Sequence, residues 1–245
     1  MKLVVLLVLI FIHNTAFSVE RPFLLDLEAG PVWNTYNKLA VPNDTGTRFS
    51  LTDALDVESK MVFRVKLAYK IAQKHSLSLL YAPLSLKGTG ILPSNVAFNG
   101  DVFLKGDDVN AVYKFNSYRL TYAYTWVDND AIQFNIGFTA KIRDAKIAIS
   151  NNTISSVKKN TGFVPLLHLD LLWRISERLN FKADLDAMAA PQGRAEDLFL
   201  GFLFKAYPFM SFKLGYRIVE GGADVKEVYN FACLQYLTTG FIFEF

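Results

Sequence analysis

Two short runs hold the residues best equipped for chemistry. Leu167 to Ile175 carries His168, Asp170 and Arg174, and Leu179 to Ala187 carries Lys182, Asp184 and Asp186. On an extended chain, residues two apart share a face, so Asp170 can orient an imidazole at His168 as a general base. Asp184 and Asp186 have the same spacing and could divide into acid and base, although ion pairs with Arg194 or Arg217 are the simpler expectation. A hydrolase needs more than this. No serine is marked as a nucleophile partner, the G-x-S-x-G elbow is absent, and His75 falls in a tight turn.

Metal and phosphate chemistry find less support. Asp107-Asp108 and Asp128-Asn129-Asp130 lack the rest of a calcium loop, and Gly88-Thr89-Gly90 precedes no helical pattern that could cradle phosphate. The single cysteine, Cys233, excludes an intramolecular disulfide and reads as a small buried hydrophobe. No cofactor or metal is expected. A formal net charge of +3 with no basic tract argues against nucleic acid as a partner.

The elements that must position these residues are strands. In Leu167 to Ile175, the residues Leu167, Leu169, Leu171, Trp173 and Ile175 oppose His168, Asp170 and Arg174. In Leu179 to Ala187, Phe181, Ala183, Leu185 and Ala187 oppose Lys182, Asp184 and Asp186. The same division recurs near Met61 to Ile71, where Arg64, Lys66 and Lys70 share a face. It recurs again around Lys141 and Arg143, around Lys213 and Arg217, and in the first segment around Asp26 and Glu28. A face that is apolar throughout, backed by a face of long charges, suits a strand with lipid on one side and a polar lumen on the other.

Composition agrees. Hydrophobic residues make up 51% of the chain, yet beyond the first twenty residues no apolar run approaches the roughly 18 residues of a spanning helix. The segments are long, and their connections alternate between tight turns such as Ser176-Glu177-Arg178 and longer loops near 34–56, 88–108 and 150–161. The spacing predicts an all-β, antiparallel up-and-down transmembrane β-barrel of about ten strands, with eight as the alternative. The strands fall near 22–33, 58–72, 75–87, 110–126, 131–149, 162–175, 178–189, 196–206, 210–220 and 228–245. Asn99-Gly100 marks a type I′ hairpin that should extend the second outer loop as a ribbon. Trp33, Trp126, Trp173, Tyr113, Tyr122 and Tyr124 fall near strand ends and are expected in interfacial girdles.

Both ends of the chain carry address signals. Lys2, the apolar stretch Leu3 to Ile12 and Ala16-Phe17-Ser18 read as a secretory signal peptide over residues 1–18, leaving one barrel domain at 19–245. The chain closes on Phe241-Ile242-Phe243-Glu244-Phe245, with aromatic rings at alternate positions up to the carboxyl terminus.

Leader, alternating segments and closing stripe together resemble the small outer-membrane β-barrel proteins of Gram-negative bacteria, across essentially the whole mature chain. The resemblance implies an outer-membrane location, contact with outer-membrane lipid, delivery by the secretion and barrel assembly machinery, and a monomer. It assigns Phe241, Phe243 and Phe245 as the membrane assembly signal. Some such barrels are lipid A deacylases or proteases with histidine near the outer rim, but no motif here carries those roles over.

The inward charges Arg64, Lys66, Arg119, Lys141, Arg143, Asp170, Arg174, Lys182, Asp184, Asp186 and Arg217 are expected to form a lumen network. It would serve as an ion-pair plug or, alternatively, as the polar lining of a narrow, porin-like channel for small solutes. The functional expectation is a structural or interaction protein, with narrow conduction of small solutes left open. The alternatives are a rim hydrolase acting on lipid A or peptide, and an adhesin using its long loops.

Overall fold

A computed structural model describes residues 21–245, so the expected leader at 1–18 lies outside the described residues. In chain order the elements are β1 (Phe23–Ala40), β2 (Phe49–Ser50), α1 (Leu51–Ala54), β3 (Asp56–Val57), β4 (Lys60–Ala72), β5 (His75–Ala82), β6 (Ser85–Ile91), β7 (Val96–Phe98) and β8 (Asp101–Phe103). Then follow β9 (Asp108–Asp128), β10 (Ile132–Ser150), β11 (Ser155–Arg174), β12 (Leu179–Ala190), β13 (Gly193–Tyr207), β14 (Met210–Val225) and β15 (Val228–Glu244).

Each long strand pairs antiparallel with its neighbours in sequence, and β15 returns to pair with β1, closing a ten-stranded barrel. Closure is what a bilayer demands, because an open edge would leave backbone N–H and C=O groups facing hydrocarbon. The stave in the third position is split into β5 and β6 by Pro83, which has no N–H to give the ladder. Both pieces pair with β9 in one register, and the Asn116 side chain takes the Leu84 N–H instead.

Outward side chains form the lipid belt. On β9 it runs from Tyr118 to Trp126, the length a tilted strand needs to cross, and Asn116 and Lys114 follow immediately above. Phe138 and Phe163 are each 68% exposed, which is tolerable only against lipid. Trp126, Trp173, Tyr122 and Tyr124 stand exposed toward the turn end, and Trp33 lies against Tyr216 on the outside. Tyr113 departs from the girdle expectation. It is 6% exposed and faces the lumen, because it shares parity with Arg119 and not with Tyr122.

The loop end differs from expectation in two ways. Strands continue well above the lipid belt, so β10 and β11 meet through a turn at 151–154 where a loop over 150–161 was expected, and β14 runs on to Val225. The polar run Lys158-Lys159-Asn160-Thr161 looks like a loop in sequence, but a strand outside the membrane has no need of apolar residues. Asn99 and Gly100 do adopt positive φ (52° and 94°), as a type I′ turn requires. Yet β7 and β8 form a separate ribbon folded over the mouth. Phe98 and Phe103, both 0% exposed, pack with Leu51, Leu55 and Leu92 of the connecting segments and Ile149 of the barrel. The two long loops thus form one folded cap with an apolar core.

Candidate functional site

Below the cap, the lumen is filled by charges that the alternating strands aim inward. Asp197 on β13 is the hub. Its carboxylate accepts from Arg64 on β4 at 2.9 Å, Arg119 on β9 at 2.6 Å and Arg217 on β14 at 2.5 Å. Arg217 also donates twice to Glu28, and Lys213 donates to Glu28 at 2.9 Å and to Asp26 at 2.6 Å. On the other wall Arg119 reaches Asp186 at 2.6 Å, Lys66 reaches Asp184 at 3.4 Å, and Lys182 pairs with Asp170. Six carboxylates (Asp26, Glu28, Asp170, Asp184, Asp186, Asp197) therefore meet six cations (Arg64, Lys66, Arg119, Lys182, Lys213, Arg217). Buried charges are tolerable in that condition: paired, hydrogen-bonded and neutral in sum.

A ring crosses this network. Phe199, 1% exposed, packs beside both the Lys213 ammonium and the Arg217 guanidinium, each 5.1 Å from its centroid. The backbone makes room for it through Gly201 and Gly215, which are paired across β13 and β14. A Cβ at either would approach the ring to 2.6 or 2.5 Å.

The sequence-expected residues distribute unevenly. Arg64, Lys66, Arg119, Asp170, Lys182, Asp184, Asp186 and Arg217 come together in the network. Arg174 does not: it pairs with Asp128 at 2.9 Å at the turn end, because it is the last residue of its strand. Arg143 sits toward the loop end and donates to Asn160 at 2.6 Å. Lys141 lies directly opposite Arg119 but has no carboxylate within salt-bridge distance among the described residues. Arg194, an expected partner of Asp184 or Asp186, is instead bidentate to Glu220 near the outer rim. Sequence reasoning missed Asp197. The signal was the apolar outward set Leu198, Leu200, Phe202 and Phe204, but Phe199 and Leu203 make the inward face apolar too and hide the alternation.

The histidine site is assembled differently from the expectation. His168 is 4% exposed, and its Nδ1 lies 2.8 Å from Asp186 Oδ1 across the β11–β12 pair, with Asp184 at 3.9 Å. Asp170 is engaged by Lys182 and by Asn135 at 3.0 Å. Thr139 donates to the same Asp186 oxygen at 2.9 Å and bonds Thr121 at 2.7 Å. Hydroxyl and imidazole thus both use one carboxylate, and the imidazole does not bridge a nucleophile to its acid. His168, Asp170 and Asp184 could present ligand atoms within 4.8 Å of one another, but Lys66 and Lys182 already neutralise the two carboxylates. At the closing seam, Phe245 exchanges both backbone hydrogen bonds with Phe23 (2.9 and 3.0 Å), and their rings lie 5.8 Å apart.

No protein-family profile matches the chain, and no curated protein matches it in sequence. Among solved structures, the outer membrane protease OmpT from Escherichia coli superposes with a TM-score of 0.59 at 9% identity, over 95% of this chain and 100% of that one. The outer membrane protein AlkL (TM-score 0.42, 11% identity, 95% of each chain) aligns more loosely. So does the outer membrane protein OprG from Pseudomonas aeruginosa (0.38, 11%, 92% and 97%). The chain has the fold of an outer-membrane β-barrel.

Proposed function

We propose that this chain is a closed, non-conducting outer-membrane barrel of structural or interaction type, whose folded cap is its contact surface. The observation that carries the reading is the packing of Glu28, Arg64, Arg119, Asp197 and Arg217, all less than a tenth exposed, across the lumen. Above it, Val32, Leu84, Leu86, Leu234 and Tyr236 form an apolar layer, and the cap core lies above that. A solute path needs continuous water, and three stacked layers of packed side chains oppose one. In this reading the protein acts as a monomer in outer-membrane lipid, reached through the secretion and barrel assembly machinery, with Phe241, Phe243 and Phe245 as the assembly signal. The expected test is an absence of conductance steps from refolded protein in planar bilayers.

A rim hydrolase is the second reading. The fold shared with an outer membrane protease and the His168–Asp186 contact favour it. Burial of His168 beneath the cap, and the fact that no hydroxyl is hydrogen-bonded to its ring among the described residues, weigh against it. Cleavage of a peptide library or of lipid A that is lost in His168→Ala would establish it over the first reading.

A further inference from the structure

The barrel wall is incomplete in one place. Pairing between β11 and β12 ends at Leu167↔Ala187, while β11 continues to Ser155 paired on its other side with β10. Meanwhile β12 turns away into β13 at Ala190↔Gly193. The residues 155–166 of β11 therefore keep one edge without a strand partner among the described residues. A similar mismatch between β4 and β6, above Val65↔Tyr81, is covered: β3 pairs with β6 through Asp56↔Thr89 and Val57↔Gly88. Over β11 the β7–β8 turn makes side-chain contacts only, Asn99 Nδ2 donating to Val157 O and Ser156 Oγ donating to Phe98 O, each at 3.3 Å. No strand pairs with this edge among the described residues.

Behind this gap lies a cleft of about 70 Å³ that opens to the outside at its mouths. Its walls include Tyr113, Phe115, Val164, Val219 and Leu234. Lys146, Lys158 and the Glu220-paired Arg194 also line it, as do two cations with buried polar atoms, Lys141 and Arg143. Both stand outside the balanced six-and-six network below. Lys141 is 3% exposed, and its ammonium has only the Phe115 ring, 4.8 Å away, as a described partner. The buried Arg143 Nε has no hydrogen-bond partner among the described residues. Buried cationic groups without counter-charge are costly, and an arriving anion removes that cost. The lower corner of the gap, at Leu167, is paired with the exposed Phe138 of the lipid belt, and the exposed Phe163 lies farther along the same edge.

We propose that this cleft binds a single-chain anionic amphiphile, its carboxylate or phosphate head between Lys141 Nζ and Arg143 Nε and its tail along Phe115 and Val164. The tail leaves through the β11–β12 gap toward the outer leaflet. Apolar walls select against a bare anion, and the two cations select against an uncharged chain. The site rests on the closed-lumen reading, in which a ligand stops in the outer half and does not pass through.

The test is titration of full-length refolded protein in nonionic detergent with a fluorescent fatty acid, followed by competition. Laurate should displace the probe, whereas dodecanol and inorganic phosphate should not. Lys141→Met and Arg143→Gln should each weaken binding roughly tenfold or more, as loss of a charge-assisted hydrogen bond implies, and Lys141→Arg should retain it. If Lys141→Met does not fold by its heat-modifiable mobility, Val164→Trp, which fills the cleft beside Lys141 while keeping both cations, should abolish binding instead. Equal displacement by dodecanol or by phosphate overturns the proposal, as does unchanged affinity in Arg143→Gln and Val164→Trp. Conductance with intact binding would remove only the closed-lumen reading.

Discussion

Arg217 meets Glu28 through two parallel hydrogen bonds, Nε to Oε1 and Nη2 to Oε2, each 2.9 Å, and it reaches past the whole of β15 to do so. The pair is therefore a brace across the lumen and not a neighbour contact within the sheet. Truncating one partner strands the other, so Glu28→Ala should cost about 3–5 kcal/mol. The double replacement Glu28→Met with Arg217→Met should recover part of that loss. Urea unfolding in lipid vesicles, followed by tryptophan fluorescence, checks the order of the three proteins.

Phe199 supplies a second test of the same layer. Its ring occupies the space that Gly201 and Gly215 leave open, and a Cβ at Gly215 would also come within 2.6 Å of the Leu200 carbonyl oxygen. Gly215→Val should overpack the site and destabilise the barrel by about 1–3 kcal/mol. Gly100→Val, in a turn with open space around it, should act only through its positive φ. Matched unfolding midpoints for the two variants would contradict this role for Gly215.

At the cap, Asn99 and Gly100 set the turn that lets Phe98 and Phe103 pack inward. Replacing Gly100 with Val should cost about 1–3 kcal/mol within the cap alone, loosening it while leaving the unfolding midpoint of the barrel unchanged. The expected readout is faster protease cleavage within 92–107, with unchanged heat-modifiable mobility.

Much of this architecture is legible in the sequence because lipid and lumen impose opposite demands on alternate residues. Alternation alone is enough to put Arg64, Lys66, Lys182, Asp184 and Asp186 on the lumen side of their strands. It fails where those demands lapse. Above the bilayer, Lys158 to Thr161 form strand without an apolar face. Within β13, the inward Phe199 copies the outward signal and conceals Asp197. Partner choice was also hidden, since Arg194 and Arg217 look equivalent in sequence until the strand register sends one to Glu220 at the rim and the other to Glu28 and Asp197.

The closing seam yields a prediction about assembly as distinct from stability. Phe245 contributes one edge pair of hydrogen bonds and one ring contact with Phe23. Phe245→Ser should therefore change the unfolding free energy of the folded barrel by no more than about 1–3 kcal/mol. It should, however, sharply reduce the heat-modifiable fraction recovered from outer membranes. Equal recovery of the variant and the parent would argue against an assembly role for this residue.

Single-channel recording on refolded, heat-modifiable protein in planar bilayers tests the closed lumen most directly. The stacked layers around Asp197, Tyr236 and Phe98 predict a flat baseline under applied voltage. Reproducible, uniform conductance steps that vanish on boiling the sample would contradict it.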